Sequence, residues 1–418
     1  MIKSIFIKCL ELRRFKTVFL AYMFVALSAF SLFVGCTNVK DQQQWVGTWV
    51  TAQQLVEPHN NPPEPGLSNN TLRQVLRVSI GGDSLRVRFS NEYSQSAVTL
   101  KQVQIALSLG QSAIDESTAK TLLFNNKSEV TMQPGTAVTS DALAFALTPR
   151  ADVAVTIFFG ETSADVTGHP GSRTTSYLIE GDQTNKAELI DAVKTDHWYV
   201  ISGIDVKAPS DAGAVAILGN SITDGRGSGT NKQNRWPDIL SESLLANPAT
   251  QMVGVLNQGI GGNCVLKQCL GPSALNRFES DVLNQHGVRW LIVLEGVNDL
   301  GQTRDSAHAM RVADDLIAAY ESMIVQAHQR QIKVYGATIL PFGKSFYYAD
   351  FREPARQKVN NWVRNSQQFD AVIDFDKLMR DPNDTIVLLP NVHSGDFLHP
   401  NEAGYQLMGQ SIDLSLFE

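Results

Sequence analysis

The sequence of residues 214–225 is AVAILGNSITDG. Its five leading apolar residues are typical of a short strand that is buried on both faces of a parallel sheet. A turn follows the strand directly and delivers Ser221, whose hydroxyl can then stand at the top of the sheet. The first turn of a following helix would supply free N–H groups, and such groups favour negative charge. The stretch therefore predicts an α/β region with its chemistry at a strand end.

The rest of the C-terminal half repeats this alternation of strands and helices. Further short strands are expected at 252–256, 290–294, 333–338 and 371–373. Helical patterns occupy 236–245, 273–283, 309–330, 354–366 and 403–411. Strands that alternate with helices predict a parallel sheet with helices on both faces, and ligands bind such sheets at the carboxyl ends of the strands.

The N-terminal half has a different periodicity. Residues 85–89, LRVRF, alternate strictly between apolar and charged side chains, and 153–159 places an apolar side chain at every second position. Such alternation predicts strands with one face on a core and the other in water. We expect 75–80 to be the partner strand of 85–89, and the region to be an all-β sandwich that resembles a jelly roll. The polar run HPGSRT at 169–174 is interpreted as a plain loop.

Residues 1–35 have the pattern of a signal sequence. A basic stretch ends at Lys16, and residues 17–34 carry no charge. This order predicts export, with a short uncleaved membrane anchor as the alternative. FVGC at 33–36 resembles a bacterial lipobox, which implies a lipid on Cys36, a membrane contact through that lipid and a polar tether at 36–44. The expected location is the periplasm or, for a lipoprotein, the outer membrane or surface of a bacterial cell.

The amino-acid composition further limits the functions that this protein can have. The chain has 418 residues, 43 % of them hydrophobic, which is enough for two packed domains. The formal net charge of −7 argues against nucleic acid as a partner, because phosphate binding needs clustered cations. The cysteines and histidines lack zinc-ligand spacing, so we expect no metal and no cofactor. Cys264 and Cys269 can form a disulfide in an oxidising compartment or remain two free thiols.

Three more polar segments stand at strand ends or before the last helix. In NQGIGGN, residues 257–263, the glycine N–H groups can form an oxyanion hole. EGVND at 295–299 contains Asn298, whose amide can serve the same hole or merely form a turn. In SGDFLHPN, residues 394–401, Asp396 precedes His399 by three positions and can hold its imidazole. Each segment by itself is also compatible with a simple turn or a surface cap.

The segments GNSITDG, NQGIGGN, EGVND and DFLHPNEAGY resemble those of the GDSL esterases, also called SGNH hydrolases. Upstream, WVGTWVTAQQ, RVSIGGDSLRVRFSNEY and HPGSRTTSY resemble the N-terminal β-domain of secreted bacterial esterases of this family. The resemblance implies a flavodoxin-like SGNH catalytic domain at 207–418, preceded by the β-sandwich domain at 45–206.

The resemblance also implies roles for single residues. The matched positions are the nucleophile Ser221, its triad partners Asp396 and His399, and the oxyanion donors Ser221, Gly262 and Asn298. The family usually has Asp where this chain has Asn220, a change that we expect to retune the turn without abolishing catalysis. A histidine base with its ordinary pKa of about 6.5, modified by Asp396, predicts activity that falls in acid.

These assignments imply a secreted serine esterase for short-chain esters, chiefly O-acetyl groups on polysaccharide. A lysophospholipase or short-chain lipase of the same family is the alternative enzyme. A glycan-binding surface protein with an inactive hydrolase domain is the alternative from another class. The β-domain is expected either to cover one edge of the catalytic domain or to bind glycan beside the active site.

Overall fold

Antiparallel strands make up the N-terminal half of the computed structural model, which describes residues 43–163 and 165–418. The strands are β1 (Gln43–Val50), β2 (Gln54–Leu55), β3 (Asn70–Arg77), β4 (Gly82–Asn91), β5 (Val98–Gly110), β6 (Ala113–Ile114), β7 (Lys120–Thr121), β8 (Val130–Met132), β9 (Thr136–Thr139), β10 (Leu143–Leu147), β11 (Asp152–Phe159), β12 (Thr167–His169), β13 (Ser176–Glu180), β14 (Val193–Thr195), β15 (Trp198–Tyr199) and β16 (Ile201–Pro209). The prediction of an all-β N-terminal region is therefore confirmed.

Two large sheets of this region face each other across one core. The first has the order β1-β16-β4-β10, with β9 also paired to β4, and the second has the order β14-β13-β3-β11-β5-β6, with β7 and β8 on β5. Apolar side chains that alternate along β4 and β11, such as Val87 and Val155, meet in that shared core. A small third sheet has the order β15-β12-β2. The likeness to a jelly roll stays a prediction.

The expected pairing of 75–80 with 85–89 is wrong. β3 pairs with β11 and β13, whereas β4 pairs with β9, β10 and β16. The intervening chain crosses between the sheets: the N–H of Val78 bonds the carbonyl of Ala151, and the next N–H, that of Ser79, bonds Thr48 in β1. Alternation tells which face of a strand is buried, but it does not identify the neighbouring strand.

A parallel sheet forms the core of the C-terminal half, as predicted. Its strands are β17 (Gly213–Gly219), β18 (Val253–Gly259), β19 (Val288–Leu294), β20 (Lys333–Ala337) and β21 (Ala371–Ile373), in the order β18-β17-β19-β20-β21. The helices are α1 (Ser221–Asp224), α2 (Trp236–Ala246), α3 (Ala274–Phe278), α4 (Val297–Gly301), α5 (Ser306–Gln329), α6 (Glu353–Asn365), α7 (Phe375–Met379) and α8 (Glu402–Gln410). A two-stranded antiparallel ribbon, β22 (Arg380–Asp381) and β23 (Asp384–Leu388), follows α7.

Helices cover both faces of this sheet. Side chains of β17 alternate between two cores: Ala216 and Leu218 pack with α3, α5 and α6, while Val215 and Ile217 pack with α2, α7 and α8. This arrangement explains the uninterrupted apolar run at 214–218, because both faces of the strand are buried. The carboxyl end of β17 is thereby held between the ends of β18 and β19.

The β-sandwich lies against β18, the outer strand of the parallel sheet. The N–H of Val255 in β18 donates to Ser79 Oγ at 3.0 Å, and the N–H of Gly47 in β1 donates to the carbonyl of His286 at 2.9 Å. Residues 43–418 accordingly form one compact unit. The expectation that the β-domain covers one edge of the other domain agrees with these contacts.

Several N-terminal expectations fall on residues 1–42. The signal sequence, the lipidation of Cys36 and most of the tether lie outside the described residues, whereas the last two tether positions, 43 and 44, already belong to β1. β16 runs to Pro209 and so extends across the expected domain boundary at 206/207, which stays a prediction. In the part of the chain that the structure describes, no helix has the length and apolar content needed to span a bilayer.

Candidate active site

Ser221 stands where β17 ends and α1 begins. The preceding Asn220 is the N-cap of α1, and its side-chain oxygen accepts the N–H of Ile222 at 3.1 Å. An N-cap of this kind fixes the first helical turn and leaves the N–H of Ser221 without an intrahelical acceptor. The turn thus presents a hydroxyl and a free N–H at the same residue. Ser221 is 6 % exposed.

A continuous hydrogen-bonded line connects Ser221, His399 and Asp396. Ser221 Oγ lies 2.8 Å from His399 Nε2, and His399 Nδ1 lies 2.6 Å from Asp396 Oδ2. The other carboxylate oxygen, Asp396 Oδ1, accepts the N–H groups of Leu398 and His399 at 3.0 and 2.9 Å. These backbone bonds orient the carboxylate, and the carboxylate orients the imidazole toward the serine.

The electrostatic surroundings of His399 and Asp396 determine their protonation states. Burial lowers the pKa of His399 below its ordinary value, although the Asp396 carboxylate acts in the opposite direction. Burial also raises the pKa of Asp396, but the hydrogen bonds from His399 and Leu398 outweigh it and bring that pKa to about 2. At neutral pH the imidazole is therefore neutral and can accept a proton, while the aspartate is charged.

The two other predicted oxyanion donors lie at the ends of the strands that flank β17. Gly262 follows β18, and its N–H donates to no acceptor among the residues that the structure describes. Asn298 is in α4, directly after β19; its Nδ2 donates to the carbonyl of Asn263 at 2.6 Å, which leaves one amide hydrogen for another acceptor. These positions place three potential donors at one edge of the sheet.

Tyr347 orients the Asn298 amide, a role that sequence reasoning missed. Its hydroxyl donates to Asn298 Oδ1 at 2.9 Å, so the amide oxygen is engaged and the Nδ2 donor faces away from it. Arg352 holds the tyrosine in turn, because its guanidinium donates to the Tyr347 carbonyl at 2.6 Å. The segment around Tyr347 carries no motif, and only its aromatic run, FYY at 346–348, could have drawn notice.

We expect Tyr347→Phe to lower kcat about three- to tenfold with little change in KM. The variant loses one hydrogen bond, which contributes about 0.5–1.5 kcal/mol, and that bond orients the amide that is predicted to donate to the oxyanion in the transition state. Steady-state kinetics on 4-nitrophenyl acetate measures the effect. Tyr348→Phe is the matched control, because the hydroxyl that bonds Asn298 belongs to Tyr347 and not to Tyr348. An unchanged kcat in Tyr347→Phe would contradict this role.

Arg277 lies buried beneath the site and was also missed. Its guanidinium donates to the carbonyls of Gly219 and Gln258 at 3.0 and 2.7 Å, and so joins the ends of β17 and β18. It also donates to Asn263 Oδ1 at 3.1 Å, next to Gly262, and pairs with Asp281 at 2.9 Å. The Arg277 side chain thus connects the ends of β17 and β18 with the turn at Asn263, the region that carries two of the predicted oxyanion donors.

The unusual Asn220 has a carboxyl partner. Its Nδ2 donates to Glu295 Oε2 at 3.2 Å, while its oxygen caps α1. Burial raises the pKa of Glu295 to about 8, although Arg277 lies 3.6 Å from Oε1 and acts against the rise. An aspartate at position 220 would bring a second carboxyl group to Glu295. The asparagine instead keeps the cap and donates a hydrogen bond.

The HPGSRT segment is more than the plain loop expected from sequence. Its first residue, His169, ends β12 and is buried, with Nε2 2.9 Å from Asp224 Oδ1 and Nδ1 2.9 Å from the carbonyl oxygen of Ala52. Gly171 approaches the Asp224 carboxylate so closely that any Cβ would collide with it. Asp224 is the last residue of α1, so the β-domain directly contacts the helix that begins with Ser221.

The loop after Gly262 is fixed covalently. Cys264 and Cys269 form a disulfide, so they are not the free thiols of the alternative interpretation. The Asp299 carboxylate accepts the N–H groups of Val265 and Leu266 at 2.9 and 3.0 Å. The loop is therefore attached to α4, which also carries Asn298. Among the described residues no cluster of side chains has the makeup of a metal site.

The comparisons with known proteins match the region that holds this site. Residues 217–407 match the model of the GDSL-like Lipase/Acylhydrolase family. These residues form a GDSL-like lipase/acylhydrolase domain. The resemblance drawn from the sequence motifs is thereby confirmed, and the GDSL-like domain makes this chain a carboxylic ester hydrolase. No curated protein matches the chain.

Solved structures similar to this chain include three proteins with related descriptions. A catalytic mutant of an acetylxylan esterase from Geobacillus stearothermophilus is 19 % identical and has a TM-score of 0.37, with 47 % of this chain and 91 % of that chain covered. An acetyl xylan esterase named AlAXEase is 20 % identical with a TM-score of 0.36, covering 47 % and 96 %. A member of the lipolytic protein G-D-S-L family from Veillonella parvula is 22 % identical with a TM-score of 0.34, covering 48 % and 95 %.

Proposed function

We propose that this protein is a secreted serine esterase that removes short acyl groups, chiefly acetyl, from polysaccharide. The observation that carries the proposal is the line from Ser221 Oγ through His399 to Asp396, at 2.8 and 2.6 Å. The strand order of the parallel sheet, 2-1-3-4-5 when its strands are numbered along the chain, supports a flavodoxin-like arrangement for the GDSL-like domain.

Acylation begins when Ser221 Oγ attacks the ester carbonyl. A free serine is a weak nucleophile at neutral pH, so His399 Nε2 takes the hydroxyl proton as the C–O bond forms. Asp396 holds Nδ1–H, which keeps the imidazole in the correct tautomer and stabilises the imidazolium that results. Ser221, His399 and Asp396 thus each have a role in the acylation step.

The tetrahedral intermediate carries its negative charge on the former carbonyl oxygen. The N–H groups of Ser221 and Gly262 and the Nδ2 of Asn298 would donate to that oxygen, and the loss of one such donor costs about 10²–10³ in kcat. His399 then gives its proton to the leaving alcohol. Water, activated by the same imidazole, hydrolyses the acyl-enzyme and returns Ser221 to its free form.

The side chain of Leu270 lies beside one of the proposed oxyanion donors. The Leu270 side chain packs against Gly262, where an added Cβ would stand 2.8 Å from Leu270 Cδ1. We infer that Leu270 borders the acyl group there, which favours a short one. Export and a lipid on Cys36, both expected from the sequence, would place the enzyme at the cell envelope or surface, where acetylated polysaccharide is accessible.

A lysophospholipase or lipase activity has one observation in its favour. Phe346, which precedes Tyr347 in the chain, is 67 % exposed, and an exposed apolar side chain beside a site can receive an acyl chain. 4-Nitrophenyl esters of increasing acyl length distinguish the two functions. We expect kcat/KM to be highest for acetate and to fall at least tenfold by eight carbons. A maximum at eight carbons or more would overturn the polysaccharide proposal.

The activity should persist below the ordinary titration range of histidine. His399 works as a base only when neutral, and kcat/KM therefore falls as the pH drops through its pKa. Since burial lowers that pKa, the midpoint of the acid limb is expected below about 6.5. Asp396→Asn removes a charge that raises the pKa, so its residual activity should show a midpoint at still lower pH. A wild-type midpoint above 6.5 would contradict the expectation.

A further inference from the structure

Two arginines flank the helix that begins with Ser221. The N–H of Arg226 donates to the Ser221 carbonyl at 2.9 Å, and its own carbonyl accepts the Tyr405 hydroxyl at 2.7 Å, while its side chain belongs to an exposed residue. Arg173 comes from the β-domain, and its Nη2 lies 3.9 Å from Asp224 Oδ2. Asp224 follows Ser221 by three residues, so it lies on the same side of α1. Both parts of the chain thus supply a cation near the nucleophile.

These two charges are poorly compensated. Arg226 forms no ion pair with any residue that the structure describes, and Arg173 has only the distant Asp224, whose other oxygen bonds His169. The nearby Asp396 is already bonded to His399. The protein as a whole is acidic, with a formal net charge of −7, so these two cations are opposite in sign to the net charge of the chain.

The positive charges have a chemical cost for ester hydrolysis. Both Arg173 and Arg226 lower the pKa of His399, which means that they disfavour its protonated form. The imidazolium nevertheless forms during both steps of the reaction. A substrate that brings a negative charge to the arginines would offset this effect, whereas a neutral ester would not.

We propose that Arg173 and Arg226 bind a carboxylate on the leaving-group side of the substrate, so that the preferred substrate is an O-acetylated sugar that carries a carboxylate, as a uronic acid does. This inference rests on the proposed function. Arg173 faces Asp224 at 3.9 Å, on the helix that begins with Ser221. His399 delivers its proton to the leaving alcohol, and we therefore place the bound carboxylate on the sugar rather than on the acyl group. Guanidinium groups match a carboxylate geometrically through paired N–H donors. A sugar carboxylate is favoured over an anionic lipid surface, which an acidic protein repels.

The test compares two esters that differ only in charge: an O-acetylated methyl glucuronoside and the corresponding carboxamide. For the wild-type protein we expect kcat/KM to be at least about tenfold higher for the carboxylate, since hydrogen bonds to charged groups contribute about 1.5–3 kcal/mol. Arg173→Gln and Arg226→Gln should each reduce this ratio about threefold or more, and the double variant should abolish it. Added salt should weaken the preference.

Three controls keep the result specific. Both variants should hydrolyse the carboxamide at least as fast as the wild-type protein, because each substitution removes a positive charge that disfavours the imidazolium. Arg226→Lys keeps the charge and should keep most of the preference. Arg330→Gln removes an equivalent exposed charge after α5, at the opposite edge of the sheet, and should leave the ratio unchanged.

Other results of these assays would overturn either the carboxylate site alone or the esterase function as well. Equal kcat/KM for the two esters in the wild-type protein, or a preference that survives in the double variant, overturns the carboxylate site while the esterase proposal stands. Arginine-dependent hydrolysis of anionic lysolipid vesicles, without a preference for the glucuronoside, assigns the arginines to a lipid instead. No turnover of either ester overturns the proposed function and this inference with it.

Discussion

Replacing Ser221 with alanine is expected to lower kcat for 4-nitrophenyl acetate by orders of magnitude, up to about 10⁶-fold. On the proposed mechanism, the substitution removes the atom that forms the acyl-enzyme, while the proposed donors at Gly262 and Asn298 remain. His399 loses a hydrogen-bond partner at 2.8 Å but keeps its bond to Asp396. The loss should therefore be in chemistry, and the fold should persist. Rates measured with a burst assay and circular dichroism of the same sample test both statements.

Ser228→Ala is the matched control for this substitution. Ser228 lies on the turn after α1, and its hydroxyl has no hydrogen-bond partner within the described ranges. Removal of that hydroxyl should leave kcat within about twofold and stability within about 0.5 kcal/mol. If Ser221→Ala retained more than a few per cent of wild-type kcat, another group would have to be the nucleophile. A glycan-binding protein without hydrolase activity would show no difference among the three proteins.

Arg277→Met is expected to lower the free energy of unfolding by about 3–5 kcal/mol, the usual effect of removing one partner from a buried charged network. Methionine fills a similar volume but donates no hydrogen bond. The carbonyls of Gly219 and Gln258 would lose their donor, and the carboxyl groups of Asp281 and Glu295 would lose a neighbouring positive charge. Urea denaturation followed by tryptophan fluorescence measures the change.

The same variant should also lower kcat, because Arg277 fixes both the end of β17 and the turn next to Gly262 through Asn263. Lys358→Met is the control: Lys358 pairs with Asp314 at the surface, and exposed pairs contribute about 0–1 kcal/mol. Arg277 would be dispensable if its variant unfolded within 1 kcal/mol of wild type. A normal kcat in a destabilised variant would limit its role to stability.

The local sequence pattern was sufficient to predict the strand and the helix start that carry the candidate site. The apolar run at 214–218 and the turn after it predicted β17 and the helical start at Ser221, because both depend only on neighbouring residues. The rule that parallel strands gather ligands at their carboxyl ends then placed Gly262 and Asn298 at one edge. The bounds of the predicted strands and helices of this half differ from the observed ones by only a few residues.

Long-range partners could not be predicted in this way. Arg277 and Tyr347 act on groups that lie far from them along the chain, and nothing in helical or strand periodicity encodes such a contact. The same is true of His169, whose partner Asp224 belongs to the other half of the sequence. The mistaken partner of 85–89 has a related cause: alternation determines a buried face, while the neighbour depends on how two whole sheets pack.

The pairing of β1 with β16 has a consequence for biogenesis. Gln43 is opposite Pro209, so the first strand of the sandwich finds its neighbour only after nearly the whole N-terminal half has been synthesised. Contacts between such distant segments form slowly, because a long loop must close first. On the proposed export route, the nascent chain would therefore stay unfolded while its leading end passes through the translocation machinery. Folding would be completed only on the far side of the membrane.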